Sequence, residues 1–190
     1  SHPFRSDLPK DAILLTSVGR QVKRKGFAWF IEHVMPRLPE HVHYWVGGDG
    51  PEGDAIQSAI DANHLGNRVR LLGRLGDAQL TNLYQSADLF LMPNIPVPGD
   101  MEGFGIVMLE AAMNGLPVVA ARLEGIKEVI TVGKNGYFVE SGDITGYTDR
   151  IVTLDLDRTS LGALSDSSRA HVAETFGWDA VAEQYLEHLS

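Results

Sequence analysis

Ala12-Ile-Leu-Leu-Thr-Ser-Val18, then Gly19-Arg-Gln-Val-Lys-Arg-Lys-Gly26, then Phe27-Ala-Trp-Phe-Ile-Glu-His-Val-Met35 is the stretch that decides the fold. Its first part carries Ile13, Leu14, Leu15 and Val18 and reads as a strand apolar on both faces. Its middle is a cationic loop bounded by glycines. Its last part reads as a helix, stopped by Pro36 because proline cannot donate to the helical ladder. A strand buried on two sides and feeding a helix is one arm of a βαβ crossover, which implies a parallel sheet.

The same alternation runs along the rest of the chain. Val42 to Val46 reads as a second strand, and the glycine turn Gly47-Gly48-Asp49-Gly50 leads from it to a helix beginning at Pro51 and running to about His64. Val69 to Leu72 reads as a third strand, and Asp77 as the N-cap of a helix over Ala78 to Ser86. Leu89 to Met92 reads as a fourth strand, followed by a loop with Pro93, Pro96 and Pro98. Gly105 to Asn114 reads as a helix stopped by Gly115. Pro117 to Ala121 and Gly136 to Val139 supply two further strands. Asp143 caps a helix to about Leu154, and Leu161 to Glu174 and Trp178 to Leu189 read as closing helices. The expected fold class is α/β: a Rossmann-like three-layer domain, its six-stranded mainly parallel sheet covered by helices on both faces. Residues 1–190 read as a single domain, with no internal repeat and no linker.

At 190 residues, 44% apolar and 22% charged, the composition is that of an ordinary globular protein. A formal charge of −9 argues against general affinity for nucleic acid or anionic membrane. Against it, the four cations Arg20, Lys23, Arg24 and Lys25 within six residues stand out. The chain has no cysteine, which excludes a disulfide framework, a thiolate nucleophile and a Cys-based zinc site. No apolar run is long enough to span a bilayer, and no signal peptide is expected.

Parallel α/β sheets bind ligands beyond the carboxyl ends of their strands. The chemistry-bearing loops fall there: Gly19 to Gly26, Gly47 to Gly53, Gly73 to Asp77 and Pro93 to Gly105. Arg offers a bidentate fork and Lys a mobile point charge, which together suit a diphosphate. In Glu102-Gly-Phe-Gly-Ile-Val-Met-Leu-Glu110 one acid sits on a loop and a second sits in a helix apolar nearly all round. A carboxylate in such a helix needs either a cationic partner or a ligand. Gly103 and Gly105 permit close backbone approach, and the helix N-terminus favours phosphate or sugar oxygens. Two acids for the hydroxyls of a sugar and a ribose, with cations for the diphosphate between them, point to a sugar nucleotide. Gly48-Asp-Gly-Pro-Glu-Gly53 matches a dinucleotide fingerprint, but it follows the second strand, and Gly73-Arg74 stands where the ribose-binding acid belongs. A tight strand-to-helix turn explains those glycines. His41 and His43 share a strand face without a further ligand at metal spacing, so no metal site is expected.

These residues, in this order, carry a family resemblance. Val18-Gly-Arg20 with Lys25-Gly26, Val46-Gly-Gly-Asp-Gly-Pro51, Glu102-Gly-Phe-Gly with Glu110, Gly115-Leu-Pro117-Val-Val-Ala, Gly133 with Asn135-Gly136, and Ser141-Gly-Asp143 resemble the C-terminal, donor-binding domain of the group 1, family 4-like retaining glycosyltransferases of GT-B fold. Phe176-Gly-Trp178 is similar to the start of that family's final helix. The resemblance spans Ile13 to about Leu189.

It implies that Arg20 and Lys25 neutralise a donor diphosphate, that Glu110 holds the ribose hydroxyls, and that Glu102 contacts the donor sugar, so that Arg20, Lys25 and Glu102 form the catalytic set. Gly19, Gly103 and the backbone around Phe104, Gly105 and Ile106 would support sugar and phosphate oxygens, and Arg74 and Leu75 lie where such enzymes meet the base. The implied reaction is transfer of a sugar from a nucleotide diphosphate to an acceptor hydroxyl with retention, with no cofactor and no metal, and with Glu102 in a positioning role. A glycosidase would instead set two carboxylates across the scissile bond.

The resemblance further implies an N-terminal acceptor domain absent from these 190 residues, weak turnover by this domain alone, and a cytoplasmic setting with any inner-membrane contact made through the other domain. Three features depart from the pattern: the extra glycine of Gly47-Gly48, the long loop from Asn94 to Met101 with its Asp100, and Lys127 where proline is usual. The alternatives are a non-catalytic nucleotide-sugar binding module, a GT-B-like sugar-nucleotide epimerase and a phosphorylase-type enzyme. No lysine stands out as the pyridoxal phosphate carrier that a phosphorylase would need.

Overall fold

The computed structural model describes residues 3–101, 105–175 and 177. The apolar runs become six strands of one sheet: β1 (Ile13–Val18), β2 (Val42–Gly47), β3 (Val69–Gly73), β4 (Leu89–Met92), β5 (Val118–Ala121) and β6 (Gly136–Val139). Their spatial order is β3-β2-β1-β4-β5-β6. Every pairing is parallel, so the sheet expected to be mainly parallel is wholly so. The helices are α1 (Phe27–His33), α2 (Gly53–Ala62), α3 (Asp77–Ser86), α4 (Ile106–Met113), α5 (Ile144–Leu156) and α6 (Arg158–Thr175). Short 3-10 turns occupy Pro3–Asp7, Lys23–Lys25 and Met35–Arg37. The helix expected over Trp178 to Leu189 lies outside the described residues.

Alternate residues of each strand serve opposite faces, which is why the runs had to be apolar throughout. Ile13 and Leu15 join Phe27, Phe30, Ile31 and Tyr147 on one side. Leu14 packs with Trp45 and Leu83 on the other. Phe90 and Met92 meet Met108, Leu109 and Ala111 of α4 there, while Leu89 and Leu91 turn to the first side. A hydroxyl chain crosses the sheet centre. Ser17 donates to Leu91 O (2.7 Å), so the Tyr44 hydroxyl, 2.8 Å away, donates to Ser17. Burial pushes the Tyr44 phenol well above its ordinary range, which keeps it protonated for that bond.

Strand order reverses between β1 and β4, and ligands bind α/β sheets at that switch point. The loops after β1 and β4 meet directly at this place. Gly26 has φ 70°, and a Cβ there would stand 1.9 Å from Pro93 O. Ile95 N donates to Arg24 O at 3.0 Å.

Several boundaries differ from the sequence reading. α2 begins at Gly53, not Pro51, and the N–H of Glu52 just ahead of it donates to Gln21 O (2.9 Å) in the neighbouring loop. Gly76, not Asp77, precedes α3, and Gln79 Oε1 accepts from the Gly76 N–H (3.0 Å), leaving Asp77 inside the first turn. α6 starts at Arg158, ahead of Leu161. Asp143 caps α5 as expected, its Oδ1 accepting from Gly146 N at 2.9 Å. Among the described residues no helix is long and apolar enough to cross a membrane.

Candidate functional site

The loop after β1 is held to the loop after β2 by its backbone. Gly19 N donates to Gly47 O (3.0 Å), Gln21 N to Asp49 O (2.7 Å) and Glu52 N to Gln21 O (2.9 Å). The Gln21 side chain adds a bond from Nε2 to Gly48 O (3.1 Å). The extra glycine of the Gly47-Gly48 pair has a steric reason: Gly48 sits at φ 113°, and a Cβ there would lie 2.0 Å from Gly19 O. The glycines of the apparent dinucleotide fingerprint therefore serve the packing of two loops.

A cleft of about 630 Å³ opens over this arrangement, lined by Gly19, Arg20, Gly48, Asp49, Gly50, Pro51 and Arg74. Arg20 is exposed at its wall. Lys25 is 6% exposed. It folds back so that a Cβ on Gly19 would stand 3.3 Å from its Cε and 3.5 Å from its Nζ. Arg74, on the loop after β3, is exposed and donates from Nε to Asp49 Oδ2 at 2.7 Å. Leu75 is half-buried with the Leu14, Trp45 and Leu83 cluster, and its Cδ1 lies over Gly47. It shapes the loop more than the cleft wall.

Lys23 and Arg24 part from the other cations. Lys23 faces solvent. Arg24 Nε pairs with Asp100 Oδ1 at 2.9 Å, tying the β1 loop to the long β4 loop. A second cleft of about 410 Å³ lies beside this pair, with Ile95, Val97, Met101 and Leu123 in its wall.

Gly105 precedes α4 in the left-handed region, and Ile106 opens the helix half-buried. Glu110 sits on the same helix, half-buried, against α3. Among the described residues it forms no ion pair with Lys or Arg. The Tyr84 hydroxyl donates to its Oε2 at 3.3 Å. Burial raises the Glu110 carboxyl from its usual range; the Tyr84 bond lowers it and the charge of Asp77 raises it. Among the described residues an internal cationic partner, the structural explanation for a carboxylate in an apolar helix, is thus not found. Among the described residues Glu110 does not line the 630 Å³ cleft; the influence of Asp77 puts it near the start of α3, which follows the Arg74–Leu75 loop. Glu102, Gly103 and Phe104 lie outside the described residues.

The structure therefore brings Gly19, Arg20, Lys25 and Arg74 together, with Gly105, Ile106 and Glu110 on the helix beyond the adjoining loop. The sequence reading passed over Asp49 and Tyr84. The Gly-Asp-Gly-Pro turn was a signal for the first; a tyrosine on the apolar face of a helix gave none for the second. His41 serves structure: its Nε2 is 2.7 Å from Asp155 Oδ2, and Asp155 is shared with Arg158. Among the described residues no three His, Cys, Asp or Glu side chains group as metal ligands.

Comparison with known proteins bears on the fold and the family. The lipopolysaccharide core biosynthesis glycosyltransferase LpsE of Rhizobium meliloti is 33% identical over 184 residues, which cover 97% of this chain and 52% of LpsE. The crystal structure of Anabaena Alr3699/HepE in complex with UDP and glucose superposes with a TM-score of 0.82 at 26% identity, over 99% of this chain and 51% of that one. The C-terminal domain of a glycosyl transferase group 1 family protein (LpcC) from Francisella tularensis shares the fold, with a TM-score of 0.77 at 20% identity over 93% of this chain and 92% of that domain. The chain spans about half the length of the curated relatives it matches. The family model described as "Glycosyl transferases group 1" matches residues 12–157, and with the switch-point loops in the arrangement above, this chain belongs to that glycosyltransferase family.

Proposed function

We propose that this chain is the donor-binding domain of a retaining glycosyltransferase that moves a sugar from a nucleotide diphosphate to an acceptor hydroxyl. The observation that carries the reading is the meeting of the β1 and β4 loops at the switch point, with Arg20 and Lys25 gathered at Gly19. In the proposed reaction Arg20 and Lys25 neutralise the diphosphate as the anomeric bond breaks, and the N–H groups of Gly105 and Ile106 add the positive end of α4. Glu110 accepts from the ribose hydroxyls, Glu102 from the donor sugar, and the Arg74–Leu75 loop borders the base. Fixed cations and backbone donors supply the leaving-group stabilisation, so the reaction proposed needs no metal, and chelator leaves donor binding unchanged.

The acceptor site belongs to an N-terminal domain outside these 190 residues, and residues 1–190 form one donor domain. The proposed reaction takes place in the cytoplasm, with any membrane contact made through the acceptor domain. That UDP and glucose occupy the Anabaena relative, and that the relatives are about twice as long, support this reading. Calorimetric titration of the chain with UDP, GDP, ADP and their sugar conjugates tests it. One nucleotide is expected to bind saturably, and Glu102→Ala to lose the preference for its sugar conjugate over the bare nucleotide. Absence of binding by all of them at millimolar concentration would remove the assignment. Sugar transfer by the isolated chain at the rate of the intact enzyme would remove the two-domain part alone.

A further inference from the structure

We propose that the Tyr84 hydroxyl is a positioning group for the nucleotide ribose, acting through the Glu110 carboxylate. The inference rests on the ribose role of Glu110 proposed above.

Tyr84 belongs to α3 and Glu110 to α4, so their contact joins two elements that flank β4 on one face of the sheet. Tyr84 is 2% exposed. Its ring meets Phe90 of β4 edge-on, with centroids 6.0 Å apart and planes at 65°. Packing therefore fixes where the hydroxyl points, and it points at Glu110 Oε2 from 3.3 Å. A long glutamate side chain loses considerable rotamer freedom when it is held in one geometry. A rigid donor beside it supplies that restraint before the ligand arrives.

The stoichiometry of the hydrogen bonds also fits. An ionised carboxylate accepts about four bonds. Tyr84 occupies one position on Oε2, which leaves room for the two hydroxyls of a ribose. Those hydroxyls donate, so the carboxylate has to be in its acceptor-only form. A donor from Tyr84 favours that form, against burial and the charge of Asp77. Phenylalanine at this position would keep the ring packing against Phe90 and remove the donor to Glu110.

The test compares the parent chain, Tyr84→Phe, Glu110→Ala and the double variant. Each is titrated calorimetrically with UDP, GDP and ADP and with their 2′,3′-dideoxy counterparts, after thermal melting has verified the fold. Tyr84→Phe is expected to weaken binding of the preferred ribonucleotide by about 3- to 10-fold while changing its dideoxy counterpart less than about 2-fold. Glu110→Ala is expected to show the same selectivity with a larger loss, and Tyr84→Phe to add almost nothing in its background. Parent-like ribonucleotide binding by Tyr84→Phe, or equal losses for both ligands, overturns the positioning role while a selective Glu110→Ala keeps the ribose reading. A Glu110→Ala chain that does not distinguish the two ligands overturns both.

Discussion

At Glu110 the carboxyl is pushed up from its ordinary range first by burial, while the Tyr84 hydroxyl pulls it down and the Asp77 charge pushes the same way as burial. A group whose folded-state value is raised binds its proton more tightly folded than unfolded. Its ionisation therefore subtracts from stability as pH rises from the ordinary glutamate value of 4.5 through the raised one. On the proposed ribose role, a residue held for a ligand thus weakens the unliganded chain at neutral pH. Glu110→Gln is expected to melt above the parent at about pH 7, and the difference to shrink as pH falls toward about 4. The same variant is expected to bind its ribonucleotide several-fold more weakly, because the amide surrenders one acceptor oxygen. Melting curves at a series of pH values check the first part; a parent that melts above Glu110→Gln at neutral pH would contradict it.

The loop between β1 and α1 is the element on which the site is built, and its sharpest constraint is Gly26. With φ 70° and a prospective Cβ 1.9 Å from Pro93 O, Gly26→Ala combines left-handed strain with a backbone clash against the end of β4. A loss of about 3 kcal/mol is expected, read as a lower urea midpoint with an unchanged slope; a change below about 0.5 kcal/mol would mean that the two loops separate freely. All six strands were legible from sequence to within a residue or so, because each is an apolar run closed by glycine, proline or a polar turn. The cap at Asp143 was legible for the same local reason. What escaped was set by contacts between distant residues. The N–H of Glu52, just ahead of α2, is spent on Gln21 O, 31 positions earlier. Arg24 and Asp100 are 76 positions apart. Tyr84 meets Glu110 only because α3 and α4 flank the same strand. The cations at Gly19 were legible because they lie in one loop, but that Arg24 would be drawn away to Asp100 was not.

In the molecule as a whole, the two ends of the strands have separate duties. At the N-terminal ends Arg5 pairs with Asp88, donates to Ser86 O at 2.9 Å, and shares Asp88 with the Leu14 N–H at 2.8 Å. Burial raises the Asp88 carboxyl even against these partners, so removing the guanidinium leaves a poorly solvated acid behind. Arg5→Ala is expected to lower stability by about 1–3 kcal/mol with nucleotide affinity within about 2-fold of the parent, as measured by denaturation and titration side by side. A large loss of affinity in a chain that still folds would show that the two ends communicate. At the opposite ends, the Gln21 bonds lock the β1 loop against the β2 loop before any ligand arrives. If the proposed diphosphate binds there, it meets a backbone already immobilised, so association sacrifices little conformational entropy on that wall. That wall is common to every nucleotide diphosphate and has no means of telling one sugar from another. On that reading, donor choice falls to the β4 loop and its exposed Met101.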